Sequence, residues 1–428
     1  MDQEVTPAMT LRPTTLLRVF LPFSLGYFLS YLYRTVNAVI APDLVRDVGI
    51  DASSLGLLTS AYLLAFAAFQ LPLGVLLDRY GPRRVESTLL LFAAGGAFVF
   101  ARAQSFSGLM IGRILIGLGV SACLMAAFKA FTQWFPADRL PLANGVQMIS
   151  GGAGALAATT PVELALKVTD WRGVFLLMTA LTVIAALCIF LVVPEKEGGK
   201  SGESLGQQLA GIRTVFTSPT FWRIAPWTVA AQGAYLAVVG LWSGLWLRDV
   251  AGFGRMAVAN TLMGISLAMI AGYFFFGALA ERLARRGIRP MTVAAYGMAA
   301  FIPVQMPLVV QWTALTLPLW LLFGFCGTAS ILPYALLPQN LPGHLAGRAI
   351  TGLNVLVFIG AFAAQWAIGV ILGIWPETVA GGYAPAGYRA AFGMILVLQV
   401  AAAGWFVLSG MINPLTPRGR GGRTPRRG

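Results

Sequence analysis

What most constrains this chain is a series of apolar runs separated by short polar stretches. LGLLTSAYLLAFAAFQ (residues 55–70) and VESTLLLFAAGGAFVF (85–100) are two of them. A helix needs about 20 apolar residues to cross the roughly 30 Å hydrocarbon core of a bilayer. Inside lipid, only helices and closed barrels satisfy every backbone hydrogen bond. Barrel strands would read as alternating segments of about 10 residues, and the runs here are longer and continuous. Hydrophobic residues make up 57% of the chain and charged residues 11%. A soluble domain carries about 25% charged residues, so this chain has too little charge to cover a water-facing surface. The expected class is an all-α integral membrane protein.

Twelve spans are expected. The first six are 17–41, 55–77, 86–103, 107–131, 142–166 and 173–193; the second six are 222–247, 257–279, 291–311, 313–338, 349–374 and 390–411. The stretch between the sets, PEKEGGKSGESLGQQLAGIRTVFTSPTF, is polar and contains Gly and Ser, so it reads as a linker. The expected organisation is an N-terminal six-helix bundle (1–193), a cytoplasmic linker (194–221), a C-terminal six-helix bundle (222–411) and a basic cytoplasmic tail (412–428).

Lys and Arg placement sets the orientation. With the N-terminus in the cytoplasm, 20 of the 30 basic residues fall inside and seven outside. Both termini are therefore expected in the cytoplasm, with the chain in the cell's inner (plasma) membrane. This placement also accounts for the formal charge of +14. The tail RGRGGRTPRRG is basic enough to suggest nucleic acid, but beside a membrane it more simply meets anionic lipid. Lipid, and no nucleic acid, is the expected partner. No small-residue cleavage site follows the first apolar run, which is expected to stay as a membrane helix. Cys123, Cys188 and Cys326 lie far apart inside apolar runs and read as small buried hydrophobes.

Residues 72–84 read PLGVLLDRYGPRR. Two six-helix halves, a central linker and this stretch after the second span together resemble the major facilitator superfamily. The signature of that family between helices two and three is a glycine, an aspartate four residues later, then arginine, glycine and a basic pair. Here these are Gly74, Asp78, Arg79, Gly81, Arg83 and Arg84. A degenerate copy, GALAERLARRG, follows the eighth span with Gly277, Glu281 and Arg282, as internal repeats would give. GRILIGLGVSA, with Arg113, Gly117 and Gly119, and WRGVF (171–175) resemble the family's fourth helix and its entry to the sixth. The glycine-rich GVQMISGGAGALAATTP lacks the Gly-Pro order that many exporters of the family carry in helix five.

The resemblance implies two pseudo-symmetric bundles working by alternating access, with no enzymatic activity and no cofactor, in a chain acting as a monomer. It also implies a latch. Gly74 would let the second helix approach the eleventh. Asp78 would accept from the N-terminal amides of that helix, where negative charge is favoured, with Arg139 as an ionic partner. The whole stretch would close the inner face as a gate.

A charge placed in the bilayer is costly and marks a site or pathway. Three basic residues fall within spans: Arg34, Arg113 and Lys129. None of the 16 acidic residues is expected deep in a span; Glu163, near the outer end of the fifth, comes nearest. A central cavity with arginine charge and no carboxylate attracts an anion, which a guanidinium fork binds bidentately. In YFLSYLYRTVNAVIAP, helical spacing puts Tyr27, Tyr31, Arg34 and Asn37 or Ala38 on one face. The expected substrate-binding residues are Arg34, Tyr31, Tyr27 and Asn37, with Arg113 from the fourth span and Gln232, Tyr235 and Trp242 from the seventh. Each has a plainer alternative. Arg34 could cap carbonyls at a helix break, Arg113 could tie neighbouring helices, and the seventh-span aromatics could simply pack. Lys129 is about 160° around the helix from Arg113, near the cytoplasmic end, and reads as a snorkelling lysine.

GLGVSA fits a dinucleotide fingerprint only formally, because no strand precedes it. There is no GxxxxGK[ST] loop, and the sole histidine, His344, has no partner set nearby. No two methionines are three or four residues apart, so no metal site is expected. Tyr33 stands before Arg34 where some anion–cation symporters of the family carry an acid. The coupling ion, proton or sodium, therefore stays open: Glu163 or the substrate itself could carry a proton, or the protein could exchange anions. The expected function is secondary transport of a small organic or inorganic anion, such as a carboxylate or phosphate-containing metabolite. The alternatives are an exporter of apolar, drug-like compounds and a non-transporting membrane sensor or assembly factor.

Overall fold

The computed structural model describes residues 16–136, 139–195, 205–337, 339, 341, 345–378 and 381–412. The expected basic tail, Lys196, Lys200 and His344 lie outside them.

All twelve expected spans are present as helical paths, and the described residues contain no strand. The first, α1, opens with a π-helical turn, runs as Leu21–Thr35, breaks at Val36 and resumes as Asn37–Val48. The second and third form one stretch, Ala52–Arg102, interrupted only at Gly81. Gly81 has φ 77° and ψ 160°, a conformation open to glycine and strained for a side-chain-bearing residue. It divides the stretch into α2 (52–80) and α3 (82–102). The Asp51 side chain caps α2 by accepting from the Ser54 amide at 2.7 Å. Pro82 opens α3 where its missing N–H costs nothing. The third helix thus starts four residues earlier than expected, and Glu86 lies a full turn inside it.

The remaining spans follow in order. Helix α4 (Phe106–Trp134) is interrupted at 120–122, and α5 comprises Leu140–Ala157 and Thr160–Ala165. Helix α6 (Trp171–Val192) is capped by Asp170, which accepts from the Gly173 amide at 2.8 Å. After a linker helix, Leu205–Phe216, come α7 (Pro219–Asp249), α8 (Arg255–Arg285), α9 (Pro290–Val309), α10 (Thr313–Leu336), α11 (Ala346–Leu372) and α12 (Pro385–Ile412). Among the described residues, nine helices are long and apolar enough to span a membrane by length and composition. The 51-residue stretch counts once and holds two spans; the broken α1 and α5 complete the twelve.

The packing between halves shows the internal symmetry. Adding six to a helix number should map the first half onto the second. The closest cross-half pairs are α2 with α11 and α5 with α8, which that operation exchanges, and α1 with α7, which it maps onto itself. Large apolar side chains such as Leu91, Phe98, Leu177 and Leu408 face outward. In water such a surface would be an aggregation hazard; against lipid tails it costs nothing. Trp171, Trp242, Trp246 and Trp320 are the largest fully buried side chains and fill the interior.

Candidate functional site

Arg34 lies on α1, half-buried, where the two halves meet. Its guanidinium carbon is 4.6 Å from the ring centre of Tyr31 and 5.3 Å from those of Phe66 on α2 and Phe358 on α11. Phe66 and Phe358 stack on each other at 4.4 Å, so one ring comes from each half. The Tyr62 hydroxyl, on α2, lies beside the guanidinium and donates to the Ser30 carbonyl at 3.2 Å. Arg34 Nε has no hydrogen-bond partner. No carboxylate among the described residues pairs with Arg34. Ring faces stabilise a desolvated cation by roughly 0.5–2 kcal/mol each but accept no N–H bond in the guanidinium plane. The cage therefore holds the charge and leaves donors over for an anionic acceptor.

Tyr27 packs edge-on against Tyr31 at 5.2 Å, so Tyr27, Tyr31 and Arg34 share the expected face. Asn37 leaves it. Its side-chain amide is fully buried and donates to Thr59 of α2 at 2.9 Å. Arg113 lies elsewhere. It is 1% exposed inside the N-terminal half, donates to the Tyr33 carbonyl at 3.0 Å and packs on Phe100 and Phe175 at 5.1 and 5.8 Å. The three residues of α7 point into their own half or its seam. Gln232 accepts from Ser330, Tyr235 stacks on Phe323 at 5.9 Å, and the Trp242 indole donates to the Gln365 carbonyl at 3.0 Å. Sequence spacing brings these side chains to one stripe; only packing decides which neighbour the stripe meets.

At the α2–α3 turn, Asp78 pairs with Lys129 of α4. That contact replaces the snorkelling role expected for Lys129 and anchors Asp78 inside its own half. Arg83 donates to the Phe190 carbonyl at 2.8 Å, and Arg83 and Arg84 both reach Glu195. Arg79 lies against the ring of Tyr80, Gly74 is half-buried on α2, and Arg139 directly precedes α5.

The opposite face carries a feature absent from the expected set. Arg255, at the start of α8, binds Asp43 bidentately at 2.9 and 2.7 Å and Glu163 of α5 at 3.0 and 3.3 Å. Asp43 and Glu163 belong to the N-terminal half and Arg255 to the C-terminal half. Nearby, Thr160 donates to the Asn260 side chain at 2.9 Å across the same seam. This face is clamped shut. Asp47, just beyond on α1, accepts from the Trp171 indole at 2.9 Å. Burial alone would raise its carboxyl, but the bonds from Trp171 and Arg46 prevail and hold it below the usual range.

One acidic residue overturns the expectation that no carboxylate lies deep in a span. Glu86 is 0% exposed and neither of its oxygens has a hydrogen-bond partner. The signal for it was present in the sequence: a helix started at Pro82 instead of Glu86 would have carried the carboxylate inside.

The pattern of the Major Facilitator Superfamily matches residues 23–365. The probable sulfoacetate transporter SauU of Cupriavidus necator is 27% identical over 276 residues, covering 61% of this chain and 64% of its own length. The hexuronate transporter of Escherichia coli K12 is 26% identical over 252 residues, covering 55% and 58%. The nitrate/nitrite transporter NrtP of Picosynechococcus is 32% identical over 151 residues, covering 35% and 28%. The chain thus matches less than two thirds of the length of each of these relatives. Among solved structures, a bacterial homologue of the human lysosomal transporter Spinster superposes with a TM-score of 0.76 at 18% identity, covering 94% of this chain and 98% of that one.

Proposed function

Because the chain belongs to the Major Facilitator Superfamily, we propose that it is a secondary transporter that carries a small anion across a membrane by alternating access. The observation that carries this reading is Arg34: a guanidinium caged by rings from both halves, with no carboxylate among the described residues to neutralise it. An unneutralised charge within a span is costly to keep without a purpose, and the seam between halves is where a substrate of such a fold sits. Relatives named for sulfoacetate, hexuronate and nitrate support an anionic substrate. Tyr31, Tyr27, Tyr62, Phe66 and Phe358 surround the charge, and a substrate with an apolar or ring-shaped body suits them.

The two halves, 1–193 and 222–411, rock about this site, with 194–221 as the tether. The clamp at Arg255 holds the outer face closed in this conformation, and the stretch from Gly74 to Arg84 acts on the inner gate. Arg113, Gln232, Tyr235, Trp242 and Asn37 position the helices that form the site. The protein works as a monomer in the inner membrane with both termini in the cytoplasm, and its basic tail rests on anionic lipid.

The test is uptake into proteoliposomes of radiolabelled D-galacturonate, sulfoacetate and nitrate, with Arg34→Ala beside the wild type. The expected result is uptake of at least one anion, lost in a variant that still elutes as a monodisperse peak. If none of the anions moves or binds while a lipophilic cation does, the anion reading is wrong.

A further inference from the structure

Glu86 takes no part in the site described above. It sits a turn inside α3, fully buried, with neither carboxyl oxygen in a well-formed hydrogen bond and only the weakly donating thiol of Cys123 within reach. A side-chain carbon at Gly26 of α1 would collide with its Oε1, so the α1 backbone lies directly on the carboxyl. Leu90, one turn further along α3, lies against the same point of α1, and the thiol of Cys123 faces the carboxyl from α4, directly after the interruption of that helix at 120–122. Cys123 is the titratable group that meets Glu86 from the elements packed on it. The thiol in turn lies within electrostatic reach of Tyr27, Tyr62 and Arg34.

A carboxylate in this place would be a buried charge without a partner, costing several kcal/mol. Such a group escapes that cost by holding a proton. A hard metal cation would need several oxygen ligands, and the described residues hold no group of three or more His, Cys, Asp or Glu side chains that could supply them.

We propose that Glu86 is the proton-binding site of this transporter, so that anion and proton cross together; the symport part rests on the transport function proposed above. The O–H bond forms on a Glu86 oxygen with a proton from water on one side. It breaks by transfer to water on the side bearing Arg83 and Arg84, which precede Glu86 by three and two residues. In water, an O–H bond of a hydronium ion breaks as the proton arrives and one forms as it leaves; no other bond changes. Coupling runs through α1. Ionised Glu86 must gain water or move away from Gly26, and Gly26 is followed directly by Tyr27, with Tyr31 and Arg34 on the next turns. A shift of α1 at Gly26 therefore reaches the anion site without any contact between proton and substrate.

Two measurements decide this, the first without any substrate. In infrared difference spectra of the purified full chain stepped in pH, the wild type should show the carbonyl band of a protonated carboxylic acid that vanishes as pH rises, and Glu86→Gln should lack it. Gly26→Ala should displace the band, whereas Gly95→Ala, whose added carbon meets nothing within 4 Å, should leave it in place. Identical spectra for wild type and Glu86→Gln overturn the proton site. The second measurement uses proteoliposomes and D-galacturonate. One proton per monoanion under a one-unit pH gradient supports about tenfold accumulation. Glu86→Gln should reduce that ratio to unity while keeping anion exchange. Retained uphill accumulation in that variant, or accumulation driven by sodium instead, overturns the coupling role. If the wild type moves no anion, the transport reading fails, and the infrared result still decides whether Glu86 holds the proton.

Discussion

Replacing Arg255 by glutamine should open the outer face. Arg255 makes four hydrogen bonds of 2.7–3.3 Å to two carboxylates of the opposite half. The carboxylate side chains are each 8% exposed and that of the arginine is 45% exposed. Fully exposed pairs contribute at most about 1 kcal/mol, whereas hydrogen bonds to charged groups in drier places contribute about 1.5–3 kcal/mol each. The half-exposed arginine places the clamp between these limits, at about 2 kcal/mol once solvent screening is allowed for. Its loss also leaves Glu163 without its cation and Asp43 with only the exposed Arg46 at 3.0 Å, which pushes in the same direction. At 1.36 kcal/mol per tenfold, 2 kcal/mol is about a thirtyfold shift toward the outward-open state. The assay is alkylation of a cysteine placed at Ala38, which lines the cavity under the clamp, with a membrane-impermeant maleimide in a background lacking Cys123, Cys188 and Cys326. The rate should rise about thirtyfold in Arg255→Gln while the closed state stays dominant in the wild type. High salt should speed the wild type part of the way by screening the half-exposed pair. An unchanged rate, or one that rises equally on the opposite face, would refute the clamp.

Other consequences follow from the same contacts. Arg34→Lys keeps the charge but loses the planar fork, so anion uptake should fall by at least about tenfold with folding intact; near-normal uptake would show that charge alone suffices. Trp242→Phe removes the indole donor to the Gln365 carbonyl and should lower thermal stability by about 1 kcal/mol with substrate affinity unchanged; a loss of affinity at unchanged stability would return Trp242 to the binding site. Asp78→Asn and Lys129→Met break the same ion pair, so each should raise labelling at the α2–α3 end. The double variant should add nothing further; additive effects would mean the two residues act separately.

Much of the architecture was legible because lipid leaves a chain few choices. Twelve apolar runs of bilayer length had to be helices, and all twelve appear. The Gly74–Arg84 stretch marked the turn between α2 and α3, and Gly81 adopts there the backbone that only glycine takes easily. Tyr27, Tyr31 and Arg34 were legible as one face because they sit on an unbroken helix. The partner of Asn37 was not legible, because its bond to Thr59 depends on how α1 and α2 pack. Glu86 differs from expectation for another reason: burial at a helix end changes within one turn, and α3 begins at Pro82, four residues before the expected start.

The sequence by itself determined the class of the protein, its helices, its family and the presence of an arginine inside an apolar run. These depend on local composition and spacing, which act within a single run. Tertiary structure alone decided which side chains meet. Phe66 and Phe358 are 292 residues apart, yet they close the same cage. Arg255 reaches Asp43 from 212 residues away. Arg113 is withdrawn from the site by its bond to Tyr33, and Glu86 is left without a partner beneath Gly26. Helix periodicity says which residues share a face. Which face looks into the seam, into its own bundle or into lipid depends on the rotation of each helix against its neighbours, a property of the packed assembly that no single run encodes.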